Sequence, residues 1–238
     1  TFAHAQATAR SGARGMLRDD FRQGNDTVTV FSSLLCPGSM CQFADSALRR
    51  IRVCPNNVCE KRMSLHNVTP GPKAPDQFNV IIEIPMNADP IKYEVDKETG
   101  AMFVDRFMTT AMHYPCNYGY IPMTLADDGD PVDVLVITPY ALTPGVVVTC
   151  RPLGVLKMDD EAGGDAKLLA VPIDKVCPIY SHWNKPEDIN QMRLKAIQHF
   201  FEHYKDLEPG KWVKLKGWGD AAMAKRMILE AIERAKGK

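Results

Sequence analysis

The sequence predicts a β-rich α+β fold: a closed barrel with two main helices beside it. Three observations lead there. Short apolar runs separated by Gly and Pro fill residues 78–171 with no helical periodicity between them, and two amphipathic stretches are confined to the C-terminal end. At 238 residues, 45% of them hydrophobic and 24% charged, the chain can bury the core of one ordinary domain. The first strand is Phe78-Asn79-Val80-Ile81-Ile82-Glu83-Ile84, closed by Pro85. Ile91-Lys92-Tyr93-Glu94-Val95 alternates apolar with charged residues, and Lys97-Glu98-Thr99-Gly100 turns it into Ala101-Met102-Phe103-Val104, a hairpin with Lys92 and Glu94 on one face. Further strands are expected at 132–137, 146–156 and 168–171. A first helix opens near Pro186-Glu187-Asp188 and aligns Ile189, Met192, Ala196, Ile197, Phe200 and Tyr204. A second starts at Asp220, a good N-cap, and runs through Met223, Met227, Ile228 and Ile232 to cover one side of the barrel.

The net charge of zero hides two unlike parts. Residues 1–62 carry nine Lys+Arg against five Asp+Glu, and residues 63–238 carry twenty against twenty-four. A boundary is therefore placed at 62/63, with an atypical N-terminal extension before it (1–62) and one domain of ordinary size after it (63–238). The extension lacks sustained periodicity and is expected to be disordered or absent from the native protein, with Met63 as the natural start. A transit peptide would share its Arg and Ser but would avoid Asp19, Asp20, Asp26, Asp45 and Glu60. Cys36, Cys41, Cys54 and Cys59 form only a loose version of a Cys₄ zinc pattern. Cys116, Cys150 and Cys177 sit in apolar or Pro-flanked surroundings and read as buried thiols in a reducing compartment. No apolar run is long enough to span a bilayer, and no basic stripe or aromatic RNP motif suggests nucleic acid.

The chemistry concentrates in two acidic clusters. Asp128-Gly129-Asp130-Pro131-Val132-Asp133 places three carboxylates in six residues, and Asp159-Asp160-Glu161 leads through Ala162-Gly163-Gly164 to Asp165 and Lys167. Spaced carboxylates suit Mg²⁺, which takes oxygen ligands in octahedral order and keeps several waters. Asp128, Asp133, Asp160 and Asp165 meet that need, whereas Pro131 breaks the alternation of an EF-hand. A solvated acidic loop is the plainer alternative. A polyanion bridging metal ions also requires fixed cations and hydroxyl donors, and Lys92, Arg106, Lys167, Lys205, Tyr114, Tyr118 and Tyr204 are available.

Taken in order, Glu83-Ile84-Pro85, Lys92-Tyr93-Glu94, Val104-Asp105-Arg106, Tyr114-Pro115-Cys116-Asn117-Tyr118-Gly119-Tyr120, the first acidic cluster, Asp160-Glu161-Ala162-Gly163-Gly164-Asp165-Ala166-Lys167, Phe200-Phe201-Glu202-His203-Tyr204-Lys205 and Lys211-Trp212-Val213 are similar to those of a soluble family I inorganic pyrophosphatase of bacterial type. The resemblance spans about 65–238. It implies an OB-type five-stranded barrel flanked by helices, and hydrolysis of pyrophosphate to two orthophosphates with several Mg²⁺ per site, Mn²⁺ or Zn²⁺ being possible substitutes. It further implies metal ligation by Asp128, Asp133, Asp160 and Asp165, and proton abstraction from water by Asp130. Lys92, Arg106, Tyr118, Tyr204 and Lys205 would grip phosphate, with Glu83, Glu94, Tyr114 and Lys167 in support. A cytoplasmic homo-oligomer, a hexamer by preference, is expected, with no membrane or nucleic-acid partner. His199 and His203, four apart on a predicted helix, lack a third zinc ligand and read as a surface or interface pair, the resemblance favouring subunit contacts. Two other readings are a metal-dependent phosphatase on other small phosphoanhydrides and a non-catalytic OB module. A nucleic-acid groove, however, would be basic and aromatic.

Overall fold

The computed structural model describes residues 65–237. Five strands close on themselves: β1 (Phe78–Ile84), β4 (Asn117–Tyr120), β5 (Asp133–Val136), β7 (Gly163–Pro172) and β6 (Val147–Asp160) are bonded in that order, and β6 returns to β1. The β5–β7 pairing is parallel and the others are antiparallel. A sixth strand, β8 (Val213–Asp220), extends the sheet from β6, while β2 (Ile91–Val95) and β3 (Met102–Phe107) form a separate two-stranded sheet. The barrel with its two helices, α1 (Gln191–His203) and α2 (Ala221–Lys236), is the fold class that the sequence predicts.

Continuous apolar runs arise because the barrel strands are buried on both faces. In β5, Val134 and Val136 join Phe78, Val80 and Ile82 of β1 in a cluster that takes in Ala224, Ile228 and Ala231 of α2. Leu135 joins the opposite cluster, with Leu169 and Val171 of β7 and Leu194, Ile197, Phe200 and Phe201 of α1. Each fully buried Val, Leu, Ile or Phe side chain among them contributes about 1.5–3 kcal/mol relative to exposure.

Helix α2 begins as predicted, with the Asp220 carboxylate accepting from the Met223 N–H at 2.7 Å. Helix α1 begins later than expected. Pro186–Asp188 is a separate 3₁₀ turn, and the Asn190 side chain caps α1 by accepting from the Met192 N–H. The register of its buried face also shifts: Met192 is 74% exposed, whereas Leu194 and Phe201, outside the predicted stripe, are buried.

Two strands are absent from the sequence prediction. Asn117-Tyr118-Gly119-Tyr120 has no aliphatic run, yet it forms β4 because Gly119 lets it lie against β1; a Cβ there would stand 2.0 Å from the Ile81 carbonyl oxygen. The other, β8, carries two glycines and pairs along β6 only. Strands β6 and β7 also run further than predicted, so the second acidic cluster is the tip of a hairpin rather than a loop, with Asp160 opposite Gly163.

Candidate active site

The first acidic cluster is held by its own backbone. Gly129 adopts φ 93°, a conformation that favours glycine, and lets the chain reverse so that the Asp128 carboxylate accepts from the Asp130 N–H at 3.0 Å. Asp128 and Asp130 thus project from a turn, while Asp133 lies at the start of β5. On the second hairpin, the Asp160 carboxylate accepts from the Ala162 N–H at 2.8 Å.

Strand register joins the two clusters. The β5–β7 pairing sets Val134 beside Leu168, so Asp133 and Lys167 are lateral neighbours, and Asp165 shares the Lys167 face two residues earlier. The Lys167 ammonium consequently stands 2.5 Å from both Asp133 and Asp165. Burial opposes its charge, but the two carboxylates outweigh burial and hold the ammonium above the ordinary lysine value. Burial lifts the Asp165 carboxyl above its usual range, against the pull of Lys167.

The turn after α1 supplies Tyr204 and Lys205. The Lys205 ammonium contacts Asp160 at 2.8 Å and Glu161 at 3.6 Å. At Asp160, burial favours the neutral acid, yet the Lys205 and Ala162 donors prevail and hold its pKa below the usual value. The β2–β3 hairpin supplies Lys92, 3.1 Å from Asp105, and Arg106, 3.7 Å from Glu208. Burial pushes the Tyr114, Tyr118 and Tyr204 hydroxyls up, with the Asp133 carboxylate adding to the effect at Tyr118, so all three stay protonated as donors.

A single cleft of about 370 Å³ is lined by Asp128, Asp130, Asp133, Asp160 and Asp165 together with Lys92, Arg106, Lys167, Lys205, Tyr114, Tyr118 and Tyr204. The two remaining predicted residues lie elsewhere. Glu83 and Glu94 line a smaller cavity of about 80 Å³, which shares Lys92, Tyr118, Asp130 and Asp133 with the cleft. There the Glu83 carboxylate accepts from the Val95 N–H at 2.9 Å. Burial lifts its pKa to about 7, against that hydrogen bond and with the help of Asp133. Glu161 and Lys211 also line the cleft, paired at 2.5 Å, and were not among the predicted site residues. Glu161 stands within the second acidic motif and Lys211 opens the Lys211-Trp212-Val213 motif, but the sequence assigned neither a role.

The donor chemistry suits a hard divalent cation, because the cleft offers carboxylates and neither His nor Cys. Among the described residues, no three acidic, His or Cys side chains stand close enough to form a finished coordination sphere. Lys167 and Lys205 balance Asp133, Asp165 and Asp160 instead. The cleft therefore holds oxygen donors of the kind that a divalent cation takes. His199 and His203 sit on α1 away from the cleft lining, ring centroids 4.7 Å apart, with His203 Nδ1 2.8 Å from Asp206. Cys116, Cys150 and Cys177 are buried, as expected, and burial pushes the Cys116 thiol up to about 12.

A small barrel that sets hard oxygen ligands against lysines, an arginine and phenols defines a phosphate-processing hydrolase. Comparisons with known proteins narrow that class. A family profile described as inorganic pyrophosphatase matches residues 80–236. The inorganic pyrophosphatase of Yersinia pestis is 64% identical over 174 residues, 73% of this chain and 99% of that protein. That of Escherichia coli K12 is 62% identical over 176 residues, 74% of this chain and all of that protein. The inorganic pyrophosphatase structure from Thermus thermophilus superposes with a TM-score of 0.69 at 44% identity, covering 73% of this chain and 99% of that one. The chain belongs to the inorganic pyrophosphatase family, in its bacterial form.

Proposed function

We propose that this chain hydrolyses inorganic pyrophosphate to two orthophosphates with Mg²⁺, and so draws pyrophosphate-releasing biosynthetic reactions forward. The observation that carries this reading is the single cleft in which five aspartates and Glu161 face five cations and three neutral phenols. Asp128, Asp133, Asp160 and Asp165 would hold the metal ions. When bound, Mg²⁺ lowers the pKa of water towards neutrality and neutralises charge on the phosphate oxygens.

Asp130, on its tight turn, accepts the proton of the attacking water. Lys92, Arg106 and Lys205 hold phosphate oxygens, and the Tyr118 and Tyr204 hydroxyls donate to them. Tyr114 and Lys167 support this frame, Lys167 by fixing Asp133 and Asp165 in relation to each other. Glu83 and Glu94 act from the side cavity on the water and metal network. Phosphoryl transfer needs positioning and charge neutralisation more than covalent help, so no nucleophilic side chain is required.

The same reading extends to a cytoplasmic homohexamer, to Mn²⁺ or Zn²⁺ as substitutes, and to a domain at 63–238 that works without residues 1–62. The described residues contain no helix long and apolar enough to cross a membrane.

The deciding experiment measures orthophosphate release from pyrophosphate and from ATP by the full chain, first with Mg²⁺ and then with excess chelator. Chelator-sensitive release that strongly favours pyrophosphate supports the proposal. Equal rates on ATP would make the chain a broader phosphoanhydride hydrolase, and no release from either would refute it. A chain starting at Met63 in the same assay tests whether the extension is dispensable.

A further inference from the structure

The β2–β3 hairpin presents two of the cleft's cations but is not bonded into the barrel sheet. Lys92 and Arg106 stand directly opposite each other in its register. One polar tie anchors the hairpin through β2, where Val95 donates to Glu83. A second reaches β3 from another element, since Arg106 Nη2 lies 3.7 Å from Glu208 Oε1. Glu208 belongs to the turn that also bears Tyr204, Lys205 and Lys211: its N–H donates to the Lys205 carbonyl at 2.9 Å, and its carbonyl accepts from the Lys211 N–H at 3.2 Å.

This second tie is unusual. At 3.7 Å it exceeds hydrogen-bond length, and both Arg106 Nε and Glu208 Oε1 are buried without a hydrogen-bond partner among the described residues. Buried polar atoms are normally satisfied, and an Arg–carboxylate pair readily closes into a two-bond fork. A closed fork would consume the guanidinium donors. An open pair holds the arginine by charge and leaves those donors unspent.

We infer that Glu208 is a positioning residue for Arg106. It fixes the guanidinium, and with it the hairpin, relative to the turn carrying Tyr204 and Lys205, while sparing the Arg106 Nη–H groups for a phosphate oxygen of the substrate. This inference rests on the proposed role of Arg106 in holding phosphate. Glu208 itself touches no reacting atom.

The test is a double-mutant cycle in the full chain with Glu208→Gln, Arg106→Ala and both together, after thermal melts establish that each is folded. Two quantities are read: kcat and KM for pyrophosphate with Mg²⁺, and the calorimetric Kd for pyrophosphate in excess chelator, where no turnover occurs. Glu208→Gln should raise KM and Kd about 3- to 10-fold, the cost of re-ordering one long side chain on binding, with a smaller change in kcat. In the Arg106→Ala background the same substitution should change them by less than about 1.5-fold, because Glu208 acts through Arg106. Glu208→Asp, which keeps the charge, should recover part of the loss and also serves if Glu208→Gln fails to fold. Unchanged or tighter binding in Glu208→Gln, or an equal penalty in both backgrounds, overturns the inference. If the wild type binds with the coupling but does not turn over, the hydrolase reading falls and the positioning role stands; turnover without coupling gives the reverse.

Discussion

Replacing Glu83 by Gln should abolish one component of the pH dependence of stability. In the folded protein the Glu83 carboxyl has a pKa of about 7, against 4.5 for an ordinary glutamate, chiefly because burial disfavours the carboxylate. Between those two values the folded state keeps a proton that the unfolded chain has released. Stability therefore falls as pH rises from about 4.5 to about 7 and is flat above, a total loss of about 3 kcal/mol at about 1.36 kcal/mol per pKa unit. Glu83 is only 6% exposed, so solvent screening gives little relief. A Gln can still accept the Val95 N–H through its amide oxygen, so the substitution removes the titration and keeps the hydrogen bond. The assay is urea denaturation of wild type and Glu83→Gln from pH 4.5 to 8 in excess chelator, since a cation near Asp133 would favour the ionised form. The variant should gain on the wild type steadily through that window, by about 3 kcal/mol at pH 8. Parallel curves would mean that Glu83 ionises at its ordinary pKa and that the assigned effect of burial is wrong.

Lys167→Met leaves Asp133 and Asp165 without their shared partner and should destabilise the protein by about 3–5 kcal/mol in chelator, a deficit that Mg²⁺ should partly repair in the same denaturation assay. Asp130→Asn should lower kcat about 10²- to 10⁴-fold with a smaller change in KM; retained turnover in a folded variant would remove Asp130 from the base role. Gly119→Ala should cost more than about 3 kcal/mol in unfolding free energy, because the new Cβ meets β1 backbone that cannot withdraw as a side-chain tip can.

Much of the site was legible because its chemistry is carried by residue types that few other purposes demand. Twelve of the fourteen residues named from the sequence line one cleft, and Glu83 and Glu94 line the cavity beside it. Lys211 belongs to a motif of the resemblance but receives no role from the sequence, because a lysine in a polar turn looks like any solvated lysine until its contact with Glu161 is seen. Glu208 was passed over for the same reason, its partner lying on the β2–β3 hairpin. Among the elements, Asp220 announced α2 through a hydrogen bond three residues long, whereas β4 depended on how closely Gly119 approaches Ile81. The expectations for residues 1–62, including the loose cysteine pattern, lie outside the described residues.

By itself the sequence determined what depends on near neighbours: a β-rich chain with two late helices, two carboxylate clusters bent by glycines, and a set of cations and phenols suited to a phosphate polyanion. Only the tertiary structure decided which of these meet. The parallel β5–β7 register places Lys167 between two aspartates that lie 32 residues apart in the chain. Closure of β6 onto β1 completes the barrel, and the turn after α1 brings Lys205 to Asp160 across 45 residues. Such contacts are set by strand register and by burial on both faces of the barrel, which no local pattern encodes. The pKa values follow from them, since the same carboxylate is ordinary in water and shifted once the fold removes the water around it.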